Sequence, residues 1–271
     1  MITYLMTNNN NYLHFLSSLG LHIGHHVSLG SIDVYMYQYL AGSRNSFFIF
    51  NIPTSIFLLK RALLFIEKLA SINPYNTICF SHSQVKDSDI IVSLLSNVQK
   101  NTQQPIIVSK WINGIFTNWN QIVFNMVKPL FARRKERFEY GFQIILAKMI
   151  FILMKRALRM DELEFYKNYN LMSRFWKFLL LFQFFLHLKK LPSSFFYINN
   201  QSSNYPILEC NVTNMPVISI LDSISTTKGI SYPIPGNSES ILIVALTLNL
   251  ITNSYLRGKY TFYMTHSLLD I

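Results

Sequence analysis

The chain has 271 residues, of which 50% are hydrophobic and only 14% charged, a composition that excludes an intrinsically disordered protein. The charges are unbalanced, since 24 Lys and Arg face 13 Asp and Glu, giving a formal net charge of +11. This basic excess on an apolar chain predicts an acidic partner, either nucleic acid or an anionic membrane surface.

Short apolar runs alternate with helical patterns over most of the chain. Residues 47–51 are predicted to form a buried strand, and Pro53 then lies in the first turn of a helix over residues 55–71. The later elements are strands at 77–80, 105–109, 194–198 and 216–221, a helix at 84–98, and a last helix at 238–253 after the turn Pro235-Gly236-Asn237. This alternation predicts an α/β fold with helices on both faces of a parallel sheet.

Residues 128–190 break the alternation, because they contain no strand or turn signal apart from Gly141. Apolar residues recur there at helical steps, and basic residues cluster at 133–137 and 155–159. We predict two long antiparallel helices that turn near residues 160–170. Such a hairpin must bury its apolar stripe against itself or against a partner.

Neither of the most apolar runs in this segment is suited to crossing a membrane. The run 142–154 is interrupted by Lys148, and the run 178–188 contains Gln183 and His187. Both are shorter than the roughly 20 apolar residues that a spanning helix needs. A helix in water is therefore favoured over a transmembrane helix.

The two cysteines give no sign of a zinc finger or a redox motif. Cys79 and Cys210 lie far apart in apolar surroundings, and no Cys-x-x-Cys spacing occurs. Buried free thiols are the favoured interpretation.

Four segments carry a resemblance to a known family. Residues 20–25 (GLHIGH) resemble a Gly-x-His-x-Gly-His motif, and residues 41–45 (AGSRN) a Gly-x-Arg-Asn motif. Residues 110–119 (KWINGIFTNW) are similar to Arg-Trp-Leu-Gly-Gly-x-Leu-Thr-Asn-Trp, and residues 232–237 (YPIPGN) to Tyr-Pro-Ile-Pro-Gly-Asn. These motifs, in this order and around a helical hairpin, resemble the small-subunit ribosomal protein two family, with a match over roughly residues 19–253.

The resemblance implies a flavodoxin-like parallel sheet with helices on both faces and an inserted antiparallel coiled-coil hairpin. It also implies a site on the back of the small ribosomal subunit, near where head meets body. The predicted organisation is an N-terminal tail (1–18), an α/β core (19–127 and 191–254), a helical hairpin insertion (128–190) and a C-terminal tail (255–271). Two departures stand out: Asp222-Ser223-Ile224 replaces the family's Asp-Thr-Asn, and residues 199–211 match too loosely to align.

Two features point to a mitochondrial member of this family. Phe, Tyr, Asn, Ile and Lys, the residues of AT-rich codons, recur throughout, while Ala and Gly are sparse, as is typical of an AT-rich organellar gene. Residues 1–12 contain no basic residue and so resemble neither a signal peptide nor an Arg-rich transit peptide. We expect a protein of the mitochondrial matrix that is also made there.

The RNA-binding residues that we predict are polar or basic side chains in these motifs and at one end of the hairpin. They are His22, His25, His26, Arg44, Asn45, Lys110, Asn113, Asn118, Asn120, Arg133, Arg134, Lys135 and Arg137. The histidines have no nearby Cys or pair of acids to complete a metal site, so one buried His and others facing RNA backbone are favoured. Trp111 and Trp119 offer rings for base stacking, but packing in the core is favoured.

Part of the hairpin is predicted to contact other proteins. Residues 175–186 are apolar nearly all round, which is more apolar surface than a two-helix hairpin buries. We predict that Phe178, Leu181, Phe182 and Phe185 contact neighbouring small-subunit ribosomal proteins, including mitochondria-specific ones. Together with small-subunit rRNA, these are the expected partners.

Two other functional classes remain open. A nucleotide-binding protein or enzyme would hold its ligand at the carboxyl ends of the strands. The sequence has no Gly-x-Gly-x-x-Gly or Gly-Lys-Ser/Thr motif, and Asp222 stands at such an end without an evident partner. A membrane-surface protein would lay the apolar hairpin on a bilayer. We predict no catalytic residue, no metal, no cofactor, no small-molecule substrate and no stable membrane insertion.

Overall fold

A computed structural model describes residues 9–29, 33–82, 88–107, 111, 113–121, 188, 190–198 and 204–267. The chain divides into two compact units, Met1–Thr117 with Lys190–Ile271, and Asn118–Lys189. Nearly all the described residues belong to the first unit. The predicted hairpin lies almost wholly outside the described residues, together with Lys110, the basic cluster at 133–137 and the predicted protein-interface residues at 178–185.

A small antiparallel sheet begins the fold. Its strands are β1 (Ile23–His26), β2 (Leu40–Arg44) and β3 (Phe47–Phe50), in the order β1-β3-β2. Asn45 and Ser46 join β2 to β3 with φ angles of 50° and 65°, as a two-residue hairpin turn requires. The strand predicted at 47–51 therefore exists, but its tight turn makes it an antiparallel neighbour of β2 and places it outside the parallel sheet.

Five strands form the parallel sheet. They are β4 (Ile78–His82), β5 (Ile106–Ile107), β6 (Ser194–Ile198), β7 (Val217–Leu221) and β8 (Tyr232–Pro235), in the order β5-β4-β6-β7-β8. This is the strand order of flavodoxin-like sheets. β8 was not predicted as a strand, and only its last residue, Pro235, belongs to the turn that we predicted. Its two prolines are tolerated because β8 lies at the sheet edge, where an N–H on the outer side is not needed.

Helices flank the sheet, which confirms the α/β class. They are α1 (Asn9–Ser18), α2 (Ile52–Ile72), α3 (Ser88–Thr102), α4 (Tyr205–Val212) and α5 (Ile241–Ser267). Pro53 lies in the first turn of α2, as predicted. Helix α5 continues well beyond the predicted end at residue 253. Two 3₁₀ helices, Val27–Leu29 and Val34–Tyr39, lie between β1 and β2.

Helix α5 is held against α2 and against the start of the sheet. A Cβ at Gly258 would collide with the backbone oxygen of Glu67 on α2, so glycine permits the close approach of the two helices. The buried Tyr255 hydroxyl donates to the Asn76 carbonyl (3.0 Å) and accepts from Gln104 Nε2 (2.8 Å). Gln104 Oε1 in turn accepts from the Ile78 N–H (2.7 Å), which ties α5 to the first residue of β4.

Among the described helices, only α5 is long and apolar enough to cross a membrane on length and composition. Its most apolar stretch has a mean hydropathy of 1.3, and 56% of that stretch is buried within the protein. That burial is typical of a core helix, as its packing against α2 and α3 shows.

Candidate nucleic-acid interface

The first and the last of the four motifs meet at the carboxyl ends of β7 and β8. Gly24 in β1 lies against the loop after β7, where an added Cβ would stand 3.1 Å from Ser223 Oγ and 3.2 Å from the Phe48 carbonyl oxygen. Gly236, directly after β8, lies against Leu21, whose Cδ1 would be 2.5 Å from a Cβ at that position. Gly24 thus allows β1 to lie close to β3 and to the loop after β7, and a side chain at position 236 would have to displace the side chain of Leu21.

His25 bridges two carboxylates at this junction. Its Nδ1 lies 2.8 Å from Asp222 Oδ1, and its Nε2 lies 3.1 Å from Glu239 Oε1. The His25 backbone N–H donates to Ser223 Oγ (2.9 Å). Asp222 is 1% exposed and also accepts from the backbone N–H groups of Ser223 (2.6 Å) and Ser238 (3.2 Å).

The interpretation of Asp222 as an acid without a partner was wrong. Its partner is His25, which lies near the other end of the sequence, and no spacing rule connects the two residues. The arrangement joins the small sheet to the parallel sheet by an ion pair and hydrogen bonds. The His25 side chain, predicted to face RNA or to be buried, is 12% exposed and is bonded to carboxylates.

The ion pair has a consequence for pH dependence. The hydrogen bond to Asp222 is the main cause that raises the pKa of His25 to about 9 from the ordinary 6.5, with a smaller contribution from Glu239 and against the opposing effect of burial. Between these two values the folded protein holds a proton that the unfolded chain releases. The stabilisation is therefore complete below about pH 6.5 and is lost as pH rises through about 9.

We expect the free energy of unfolding to fall between pH 6.5 and 9 more steeply for the natural chain than for a His25→Gln variant. Urea unfolding of both proteins over this pH range gives the two pH dependences. Contributions from groups that titrate in both proteins cancel when one is subtracted from the other. Parallel pH profiles for the two proteins would contradict the assignment of this proton to His25.

The segment after β8 caps the last helix. Asn237 Oδ1 accepts from the backbone N–H groups of Glu239 (3.0 Å) and Ser240 (3.1 Å), just before α5 begins. This bonding satisfies donors that a helix start would leave free. It also fixes Glu239 beside His25. The final motif therefore builds an edge strand, a close approach and a helix start, which is more than the turn that we predicted.

Arg44 and Asn45 lie at the tip of the β2–β3 hairpin. Residues 41–47 are all exposed, so the hairpin projects from the protein surface. Beside the turn, the ring of His26 stands edge-on to Phe47 (5.3 Å between centroids), and His26 Nδ1 lies 2.7 Å from Ser28 Oγ. The ring of His22 is partly buried, and its carbonyl accepts from the Phe50 N–H (2.8 Å).

Three described residues of the third motif, Trp111, Gly114 and Phe116, surround a buried acid. Glu209 on α4 accepts from Trp111 Nε1 (3.0 Å), the Gly114 N–H (2.7 Å) and the Phe116 N–H (3.0 Å). Glu209 was not predicted because it falls in the stretch 199–211, which matches the family too loosely to align. A signal was present nonetheless, since a Glu between Leu208 and Cys210 in an apolar helix is rarely buried without a partner.

The tryptophans of that motif contribute to packing. Trp119 is buried, and the Trp111 ring packs edge-on to Phe116 (5.1 Å) and Phe195 (5.6 Å). Core packing was the favoured prediction for both. Asn113, Asn118 and Asn120 are exposed, as residues that contact a partner must be.

The structure thus brings His25 together with Asp222, Ser223 and Glu239, and leaves Arg44 and Asn45 projecting into solvent. Among the described residues, no three His, Cys, Asp or Glu side chains are placed to hold a metal ion.

Comparison with known proteins identifies the family. The family model for Ribosomal protein S2 matches residues 16–258. The chain is 26% identical to small ribosomal subunit protein uS2 of Ehrlichia ruminantium (strain Gardel) over 90% of its length and 75% of that protein. It is 24% identical to uS2 of Colwellia psychrerythraea, over 89% of the chain and 88% of the relative. It is 25% identical to uS2c of Trieres chinensis, over 91% of the chain and 96% of the relative. The chain belongs to the ribosomal protein S2 family.

Proposed function

We propose that this protein is a structural constituent of the mitochondrial small ribosomal subunit and binds its rRNA. The observation that carries the proposal is the family match over residues 16–258, which takes in all four motifs. Proteins of this family are structural ribosomal components and not enzymes. The relatives are named as small ribosomal subunit proteins, which supports a place in that subunit.

The mitochondrial assignment is supported by amino-acid composition. Phe and Tyr reach 22 and 15 residues, whereas Gly reaches only 9, which fits an AT-rich organellar gene. Sedimentation of the tagged protein in an organellar extract tests the assignment. We expect it to travel with mitochondrial small subunits and to leave that fraction when the subunits are dissociated. Sedimentation with ribosomes of another compartment would contradict the mitochondrial assignment and leave the family assignment unchanged.

The distribution of charge indicates how RNA is bound. Residues 118–189 contain thirteen Lys or Arg and five Asp or Glu, so they carry +8 of the net charge of +11. The first unit is close to neutral by comparison. Electrostatic attraction to phosphate should therefore come mainly from residues 118–189, which include the predicted contacts Arg133, Arg134, Lys135 and Arg137. The exposed Arg44 adds a phosphate contact from the first unit.

The salt dependence of RNA binding tests the role of Arg44. For the natural chain, log affinity for a small-subunit rRNA transcript should fall linearly with log salt, by about 0.7–0.9 per phosphate contact. Arg44→Ala should reduce this slope by roughly one unit, and Lys110→Ala should do the same. Filter binding or fluorescence anisotropy at several salt concentrations provides the slopes.

Lys68→Ala is the matched control. Lys68 is exposed near the end of α2, close to where β4 starts, whereas the hairpin projects near the start of α2. The control should retain the slope of the natural chain. If Arg44→Ala and Lys68→Ala give equal slopes, Arg44 does not contact phosphate, and the hairpin tip is not part of the RNA interface.

A further inference from the structure

The 3₁₀ helix Val34–Tyr39 exposes aromatic side chains that the fold does not use. A 3₁₀ helix has three residues per turn, so residues three apart lie on one edge. One edge is buried, since Met36 packs with Phe50 and Leu221, and Tyr39 packs against the same cluster. The other two edges face solvent: Val34, Tyr35 and Tyr37 are 78%, 61% and 60% exposed, and Gln38 is exposed beside them.

This exposed surface is fixed in place before any partner binds. Asp33 caps the helix, because its Oδ1 accepts from the Tyr35 N–H (3.4 Å). Its Oδ2 accepts from the N–H (3.0 Å) and the hydroxyl (3.1 Å) of Thr227, in the loop after β7. These hydrogen bonds, those from Thr227 foremost, lower the pKa of the Asp33 carboxyl, which keeps the cap ionised. A preformed surface loses little conformational entropy when it binds.

The charge around the surface favours a polyanion. Asp33 is the only Asp or Glu in residues 1–66, and its carboxylate is bound by Thr227 and lies near Lys228, whereas the same stretch has Arg44, Lys60 and Arg61. Arg44 is exposed and follows the 3₁₀ helix through β2. Exposed Tyr rings therefore share a stretch of chain with a cationic hairpin tip and a single, already bonded acid, a combination that can bind single-stranded nucleic acid by stacking and by charge.

We propose that unpaired bases of RNA stack on Tyr35 and Tyr37, with the Gln38 amide at a base edge and Arg44 at the backbone. This inference rests on the proposed function and makes it more specific, since it assigns this surface to unpaired RNA. The two faces of an unpaired base are free to stack on a protruding ring. The bases of an A-form duplex are stacked on one another, and side chains do not reach them through its deep, narrow groove.

The test measures binding of the full chain to an oligouridine of about 12 nucleotides and to the same strand paired with oligoadenine. The double variant Tyr35→Leu with Tyr37→Leu should bind the single strand at least about fivefold more weakly, because stacking on each ring is lost. The salt slope should not change, since no phosphate contact is removed. Binding to the duplex should stay the same.

Two controls separate stacking from other effects. Tyr35→Phe with Tyr37→Phe retains both rings and should bind like the natural chain, which would show that the rings and not the hydroxyls are needed. Tyr75→Leu removes an 85% exposed ring elsewhere on the surface and should have no effect. Unchanged single-strand affinity of the Leu double variant would overturn the inference. If that variant bound RNA normally but failed to enter small subunits, the surface would be a protein-docking site, and the proposed ribosomal function would stand.

Discussion

Replacement of Asp222 by Ala is expected to destabilise the protein by about 3–5 kcal/mol, because it leaves the largely buried His25 imidazolium without its nearer carboxylate. The backbone N–H groups of Ser223 and Ser238 lose their acceptor in the same change. The ion pair links the small sheet to the parallel sheet, so its loss should destabilise both sheets. Urea unfolding near pH 6.5 gives the free energy, with His25 protonated in the natural protein.

Asp89→Ala is the control for this experiment. Asp89 is exposed in the first turn of α3, where loss of a favourable interaction with the helix dipole costs at most about 1 kcal/mol. A double variant, Asp222→Ala with His25→Gln, should recover part of the stability, since no charge then remains without its partner. Equal losses in Asp222→Ala and Asp89→Ala would show that the buried ion pair contributes nothing.

Glu209→Ala is expected to cost about 3 kcal/mol or more, since it removes the acceptor of three donors at once. Each orphaned donor costs on the order of 1–3 kcal/mol where water cannot replace the carboxylate, and the Phe116 N–H is fully buried. The loop of residues 111–116 should then detach from α4. Amide hydrogen exchange at Gly114 and Phe116 should accelerate together with a fall in stability to urea.

Leu208→Ala provides the comparison on the same helix. Leu208 is exposed beside the buried Glu209, so truncation should change stability by less than about 0.5 kcal/mol and leave exchange in the loop unaltered. The loss of stability in Glu209→Gln should lie between those of Glu209→Ala and Leu208→Ala. The amide keeps one acceptor oxygen but turns donors toward the loop N–H groups. Protected amides in Glu209→Ala would show that other contacts hold the loop.

The sequence was sufficient to predict the elements that follow local rules. Strands such as β6 and β7 are continuous apolar runs, and Pro53 marks the start of α2, so hydrophobic pattern and helix capping locate them. β8 was not predicted as a strand, and two prolines among its four residues normally argue against one. Only its position at the sheet edge makes the pairing of Tyr232 with Ile218 acceptable, and that position is a property of the whole sheet.

The candidate site was less predictable than the strands and helices, because it too depends on contacts that only the whole fold creates. The motifs pointed to His25, Arg44 and the Trp111 loop, but the partners of these residues lie far away in the chain. Asp222 and Glu209 are single acids with no local pattern, and only the fold brings them to His25 and Trp111. The exposure of Tyr35 and Tyr37 likewise depends on which edge of a short helix is buried, and periodicity over six residues does not determine that edge.

The contact between His25 and the loops at Asp222 and Glu239 also sets an order for folding during synthesis. The small sheet leaves the ribosome first, but its partners are made more than 190 residues later, as the separation of 198 positions between His25 and Ser223 shows. At about 5–20 residues per second, roughly 10–40 s pass between the synthesis of β1 and β3 and the synthesis of their partners. During that interval Ile23, Phe47 and the uncovered edge of β1 are available for wrong pairings. A nascent chain of this kind should depend on a chaperone, or on early capture by RNA, until its last helix is complete.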